Sequence, residues 1–238
     1  LDHEGFDLVL WGGNISKAKV VGAVTGELEF YHLGERDEPG RPTRDRSLNT
    51  AGLRLMREPK RAAVDLEVEG FYQWGRMSES TAADAAKIDV SAWFVHAEAG
   101  FSFAGSAKAR VSLQYDRASG NGRGGKFGRF DTLFGMRRPE LAPSGLYTAV
   151  GRANLSSPGV TLEAAPSKRW DALLAYRALW LAERTDSFST TGVRDPSGRA
   201  GAFAGHQLDG RLRYWLRPDR LRFEFDSLVL AKGRFLKQ

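Results

Sequence analysis

Between Trp170 and Trp180 the even positions read Trp170, Ala172, Leu174, Tyr176, Ala178 and Trp180, while the odd ones include Asp171 and Arg177. A period of two predicts a β-strand with one apolar and one charged face. At about 3.3 Å per residue and a tilt of about 45°, such a segment crosses about 25 Å. That is the height of the lipid-facing band of an outer-membrane barrel, where aromatic residues gather at both interfaces. Strands of soluble sandwiches are usually shorter, about five or six residues.

The alternation recurs along the chain. Phe6, Leu8 and Leu10 predict a short first strand ending at Gly12-Gly13, and Val20 to Leu33 a longer one with Leu28 and Phe30 opposite Glu27 and Glu29. Leu53 and Leu55 flank Arg54 in the next, which stops at Glu58-Pro59-Lys60-Arg61. Val64, Leu66, Val68, Gly70, Tyr72 and Trp74 then oppose Asp65, Glu67, Glu69 and Gln73. Ile88, Val90, Ala92 and Phe94 are expected on the apolar face opposite Asp89 and Ser91, with a bulge between Ala97 and Phe103 where the phase is lost. Further on, Ala107, Ala109, Val111, Leu113 and Tyr115 oppose Lys108, Arg110, Ser112, Gln114 and Asp116. Leu208, Leu212, Tyr214 and Leu216 oppose Asp209, Arg211, Arg213 and Trp215, and Leu221, Phe223, Phe225 and Val229 oppose Arg222, Glu224, Asp226 and Lys232.

Connections alternate as well. Long polar loops follow Leu33, Gly75, Tyr115 and Leu181, and tight turns fall at Pro59, Gly105, Pro166 and Pro218. Long loops on one rim and short turns on the other characterise bacterial outer-membrane barrels, whereas a sandwich mixes hairpins with sheet-crossing connections. The expected fold is therefore all-β: an antiparallel up-and-down transmembrane β-barrel, with about ten strands in one domain over residues 1–238. With the tight turns periplasmic, this count puts both termini on the extracellular rim. Complete bacterial barrels keep them in the periplasm, so the chain is expected to be a fragment truncated at both ends.

Composition removes other classes. No run of about 18 apolar residues exists, so no membrane-spanning helix is expected. Cysteine is absent, which removes disulfide frameworks and thiolate chemistry. His3, His32, His96 and His206 have no metal-ligand spacing. Gly120-Asn121-Gly122-Arg123-Gly124-Gly125 matches a dinucleotide fingerprint in letters only, because neither a helix nor a βαβ unit follows. Glu67/Glu69 and Glu224/Asp226 sit two apart on one strand face, where lining a lumen is the expected role and glycoside hydrolysis would need a sugar groove between them. The formal charge of +6 favours an acidic partner. Basic residues are interleaved with carboxylates instead of forming a patch, so nucleic acid is not expected. No enzyme activity, metal or cofactor is expected.

On the period-two pattern Lys108, Arg110, Arg177, Arg211, Arg213 and Arg222 face the lumen, beside Asp116, Asp171, Asp209, Glu224 and Asp226. Arg137 and Arg138 belong to a long loop that could fold into the mouth, and Arg152 to its edge. Arginine stays charged and its fork matches a carboxylate, so rings of it select anions. Lumenal charges also pair across strands simply to fill a barrel, and for any single arginine that role is the commoner one.

Several segments resemble the alginate export family of outer-membrane porins. They are Phe130-Asp131-Thr132-Leu133-Phe134-Gly135, Gly151-Arg152-Ala153-Asn154-Leu155, Pro166-Ser167-Lys168-Arg169-Trp170-Asp171, Ala175-Tyr176-Arg177-Ala178, Gly192-Val193-Arg194-Asp195, Ala204-Gly205-His206-Gln207, Arg213-Tyr214-Trp215-Leu216 and Lys232-Gly233-Arg234-Phe235-Leu236. The likeness runs from about residue 130 to 236. It implies a barrel of roughly eighteen strands in the outer membrane of a Gram-negative cell, exporting an anionic polyuronate passively through an arginine-lined pore. This chain would supply a little over half of it. The implied partners are an anionic polysaccharide, outer-membrane lipid and periplasmic export machinery. Alternatives are a general or small-solute porin of the same build, a soluble β-barrel carbohydrate-binding module, or a barrel enzyme acting on lipid or sugar.

Overall fold

The computed structural model describes residues 7–37, 40–133, 141–142, 150–218 and 220–237. Ten strands follow one another in these residues: β1 (Leu8–Val21), β2 (Val24–Glu35), β3 (Ser47–Arg57), β4 (Ala63–Ser78), β5 (Lys87–Ser102), β6 (Arg110–Ala118), β7 (Leu155–Ser167), β8 (Trp170–Trp180), β9 (Phe203–Arg217) and β10 (Leu221–Lys232). A 3₁₀ turn, Phe235–Lys237, closes the order. Each strand pairs antiparallel with the next, giving one up-and-down sheet whose spatial order equals its sequence order. β1 and β10 are its edges, so the sheet is open. No helix among the described residues is long and apolar enough to cross a membrane.

Connections keep the expected alternation. Short turns join β1–β2, β3–β4, β5–β6, β7–β8 and β9–β10, and long loops the other pairs. Two of the turns lie elsewhere than the residue types suggest. Gly12-Gly13 is inside β1, and the chain reverses at Gly22-Ala23. A Cβ on Gly12 would lie 2.4 Å from the Tyr31 ring, so the glycine is there for a close cross-strand approach and not for a turn. Pro166 lies near the end of β7, where the register with β8 shifts between Ala164 and Ser167, and the chain reverses at Lys168-Arg169.

The two faces are inverted relative to a soluble sheet. Leu28, Leu53, Val68, Leu113, Leu162 and Val229 are exposed on one side, as are Leu174 at 45% and Phe223 at 64%. Asp65, Glu69, Gln73, Asp116, Arg177, Gln207 and Asp209 are buried on the other. Fully covering a large apolar side chain is worth roughly 1.5–3 kcal/mol, and soluble monomers rarely leave contiguous apolar patches beyond a few hundred Å². Such a face is suited to an apolar surrounding. Aromatic rings mark its two borders on the outer side. Tyr72, Trp74, Trp93, Tyr115, Tyr176 and Trp180 stand toward the long loops, and Phe101, Phe103, Trp170 and Tyr214 toward the short turns. Trp170 and Tyr214 pack across β8–β9 with ring centroids 4.6 Å apart.

β5 corrects one expectation. Val90, Ala92 and Phe94 are buried on the polar side, while Trp93 and Val95 face outward. The reason is the loop that follows β6. Phe127 bonds to the free edge of β5 (Phe127 N to Asp89 O 2.8 Å, Ser91 N to Phe127 O 3.0 Å) and Phe130 packs on Phe94. Both faces of β5 are therefore apolar around residues 93–95, and the period-two phase blurs. No bulge interrupts Ala97–Phe103, since β5 pairs with β4 and β6 without a register shift. A second apolar cluster fills the same rim, where Leu155, Leu179 and Ala204 meet Leu141, Val150, Phe188 and Phe235.

Candidate functional site

Below these loop-covered clusters the inner face carries charge. Its guanidinium–carboxylate contacts come in two kinds. Neighbouring strands supply Arg54 with Glu67 (2.8 Å) and Glu27 (3.4 Å), and Arg213 with Glu224 (3.1 Å), which Arg222 on its own strand also contacts (2.7 Å). Arg213 also stands 4.0 Å from Asp171. Arg222 lies over the Trp215 ring at 5.2 Å.

The second kind skips a strand. Arg110 on β6 reaches across β5 to Asp65 on β4 (Nε–Oδ2 3.1 Å), while also holding Glu98 and Glu163 (2.9 Å). The β5 residue opposite Asp65 is Gly100, where a Cβ would fall 2.6 Å from both the Arg110 Nη2 and an Asp65 oxygen. Arg177 on β8 likewise passes over β7 at Gly159 to reach Gln114 (2.6 Å) and Asp116 (2.5 Å) on β6. A Cβ on Gly159 would lie 3.0 Å from the Arg177 Cγ. Asp116 is shared with His96 Nδ1 at 2.7 Å. Arg177 is only 5% exposed, so this cluster is a buried network in which both Nη groups of Arg177 are bonded while its Nε has no partner among the described residues.

Among the described residues Arg211 differs from these. No carboxylate stands within 4.0 Å of it, and its Nε donates to nothing. Asp226, directly opposite on β10, leaves its Oδ1 unbonded as well.

The long loops are tied down on the same side. Arg152 descends to Glu69 (2.9 Å) and covers the Phe94 ring at 4.2 Å. Arg46 joins Glu35 and Asp131, so the ion pairs hold its proton more firmly than an isolated guanidinium would. Arg129 bonds Asp186 and the Ser187 and Ser189 carbonyls, and Asn154 bonds the Glu183 and Ser187 carbonyls, locking loop to loop. In the β8–β9 loop the Ala200 amide and the Ser197 hydroxyl and amide bond Asp195, which holds that carboxyl below the usual range.

Of the residues singled out from sequence, Arg110, Arg177, Asp209, Arg211, Arg213 and Arg222 all lie on the inner face, and Arg152 reaches it from the loop. Lys108 does not. β6 begins two residues later, and Lys108 sits exposed in the β5–β6 turn with φ of 46°, its amide on the Gly105 carbonyl at 3.2 Å. The alternation ran on through the turn by coincidence. Arg138 and Arg137 lie outside the described residues. Pattern alone does not single out Arg54, which stands among Glu27, Glu67 and Glu69 of the neighbouring strands, or His96, which lies on the misphased strand.

A family model described as alginate export matches residues 9–238, nearly the whole chain. The chain belongs to the alginate export family. The match takes in the N-terminal half, where the resemblance of short segments had been faint. No curated protein matches the chain. Membership in this family points to an outer-membrane channel exporting polysaccharide, a transport role and not an enzymatic one. All-β antiparallel strands with lipid-suited outer side chains agree with that assignment.

Proposed function

We propose that this sheet is one wall of an outer-membrane β-barrel, and that its inner face lines the bore through which an acidic polysaccharide of the polyuronate class leaves the cell passively. The observation that carries this is the inversion of the sheet, apolar outward and ionic inward, with arginine as the inward cation on six strands or loop edges from β3 to β10.

The ion pairs suit transit better than bare positive charge would. A uronate carboxylate entering the bore exchanges with a protein carboxylate at an arginine already oriented by its partner. The exchange replaces one charge-assisted bond by another of similar strength, so no single sugar is held too firmly to move on. Pores conduct when binding is favourable enough to enter and weak enough to leave. Arg211, without a carboxylate in contact among the described residues, is the strongest first seat.

The test is conductance of the full-length protein in a planar bilayer. Block by a polyuronate, with no block by a neutral glucan of equal length, supports the export role. Equal block by both would leave a general porin.

A further inference from the structure

We propose that the cleft between the β2–β3 loop, the end of β4 and the loop after β6 is a separate binding subsite for one carboxylate-bearing sugar segment at the long-loop rim, seated on Arg44. The ligand class rests on the export function proposed above; the site itself rests on geometry. The cleft encloses about 470 Å³, within the ~300–1,000 Å³ usual for small-molecule sites. Its apolar surfaces are Met77, Phe127 and Phe130, and three guanidiniums, Arg44, Arg46 and Arg129, reach into its lining.

Those three cations are not equivalent. Arg46 is spent on Glu35 and Asp131, and Arg129 on Asp186 and two carbonyls. Among the described residues Arg44 donates to the Ser78 and Glu79 carbonyls, each at 2.9 Å, and stacks over the Phe127 ring at 4.8 Å. Among the described residues no carboxylate stands within 4.0 Å of it. Partial burial and the like charge of Arg46 both loosen its proton, and the more distant Glu79 carboxylate opposes them only weakly. A guanidinium fixed by two carbonyls, backed by an aromatic face and with no carboxylate in contact among the described residues is pre-arranged for an incoming anion. A uronate fits on both counts, its carboxylate on Arg44 and its C–H face against Phe127 and Phe130. Thr43 and Thr132 line the same cleft, within reach of the sugar hydroxyls.

The experiment is calorimetric titration of the detergent-solubilised full-length protein with short 1,4-linked uronic acid oligomers and, separately, their carboxyl-reduced neutral counterparts. Losing one charge-assisted contact corresponds to about ten-fold or more in affinity. Arg44→Ala is expected to weaken the uronate oligomer by that factor, and Arg44→Lys by less. Thr81→Trp, which fills the cleft from its exposed edge without touching the bonds of Arg44, is expected to weaken it as well, so the inference does not depend on the fold tolerating loss of Arg44. Wild-type affinity in both Arg44→Ala and Thr81→Trp would overturn the subsite. If polyuronate still blocks conductance of those two variants as in wild type, the export function stands and only this subsite falls. Equal binding of charged and neutral oligomers by the wild type would overturn the subsite directly, and the conductance assay decides the export function independently.

Discussion

Replacing Arg110 with methionine keeps most of the side-chain length and removes the one cation shared by Asp65, Glu98 and Glu163. These carboxylates are unequal. The Asp65 side chain is 3% exposed and that of Glu163 is 40%, so Asp65 carries the cost and Glu163, largely screened, adds little. Stranding a buried charge costs about 3–5 kcal/mol, and the predicted loss for Arg110→Met lies in that range. Urea unfolding of the full-length protein from phospholipid bilayers measures it. The double variant Arg110→Met/Asp65→Asn should recover more than half of the deficit, because it removes the orphan together with its partner. Gly100→Val gives an independent arm: the new side chain occupies the space through which the guanidinium passes over β5, and should produce a similar loss while both charges remain. Arg110→Met within about 0.5 kcal/mol of wild type, the scatter of ordinary surface substitutions, would refute the strand-skipping bridge as a structural element.

Arg211→Gln should leave unfolding unchanged within about 0.5 kcal/mol, yet weaken polyuronate block of conductance several-fold; the opposite split would make Arg211 structural. At the start of β9, Gly205 has φ of 151°, and a Cβ there would lie 2.3 Å from the Ala231 carbonyl. Gly205→Ala is therefore expected to cost about 1–3 kcal/mol or more in the same unfolding assay, and a neutral result would contradict the local backbone. The Asp195 turn should respond to acid. Its carboxyl is held below the usual range in the folded loop, so its ordering is fully present above the ordinary carboxylate value of about 3.9. That ordering is lost as pH falls through the depressed value. Protection of the Ser197 and Ala200 amides from hydrogen exchange, relative to the intrinsic rate at each pH, should fall there and should be low at every pH in Asp195→Ala.

How far the sequence reveals this structure depends on what each residue touches. Where one face of a strand is bare and the other meets only side chains of neighbouring strands, as at the short-turn ends of β4, β8 and β10, alternation alone assigns both faces. Where a loop folds onto the inner face the rule fails, since Phe94 and Trp93 are apolar for different reasons, one packed against Phe130 and the other facing outward. Glycine misled at Gly12-Gly13, because the same absence of a side chain serves a turn or an approaching ring. The inner arginines were legible individually, but their partners were not. Bridges from Arg110 to Asp65 and from Arg177 to Asp116 cross an intervening strand, and only the register shows that Gly100 and Gly159 stand at the crossing points. The cleft around Arg44 joins loops far apart in the chain and left no local signal.

The absence of cysteine from the chain permits the most direct test of the two-sided sheet. Single cysteines placed at each position of β8, spin-labelled in phospholipid bilayers, report collision with lipid-soluble oxygen and with a water-soluble nickel chelate. Oxygen contact should peak at positions 172, 174 and 176, and chelate contact, weaker where loops cover the inner face, at 171 and 173. Alternation in the reverse phase, or none, would contradict an apolar face turned to lipid and an ionic face turned to water.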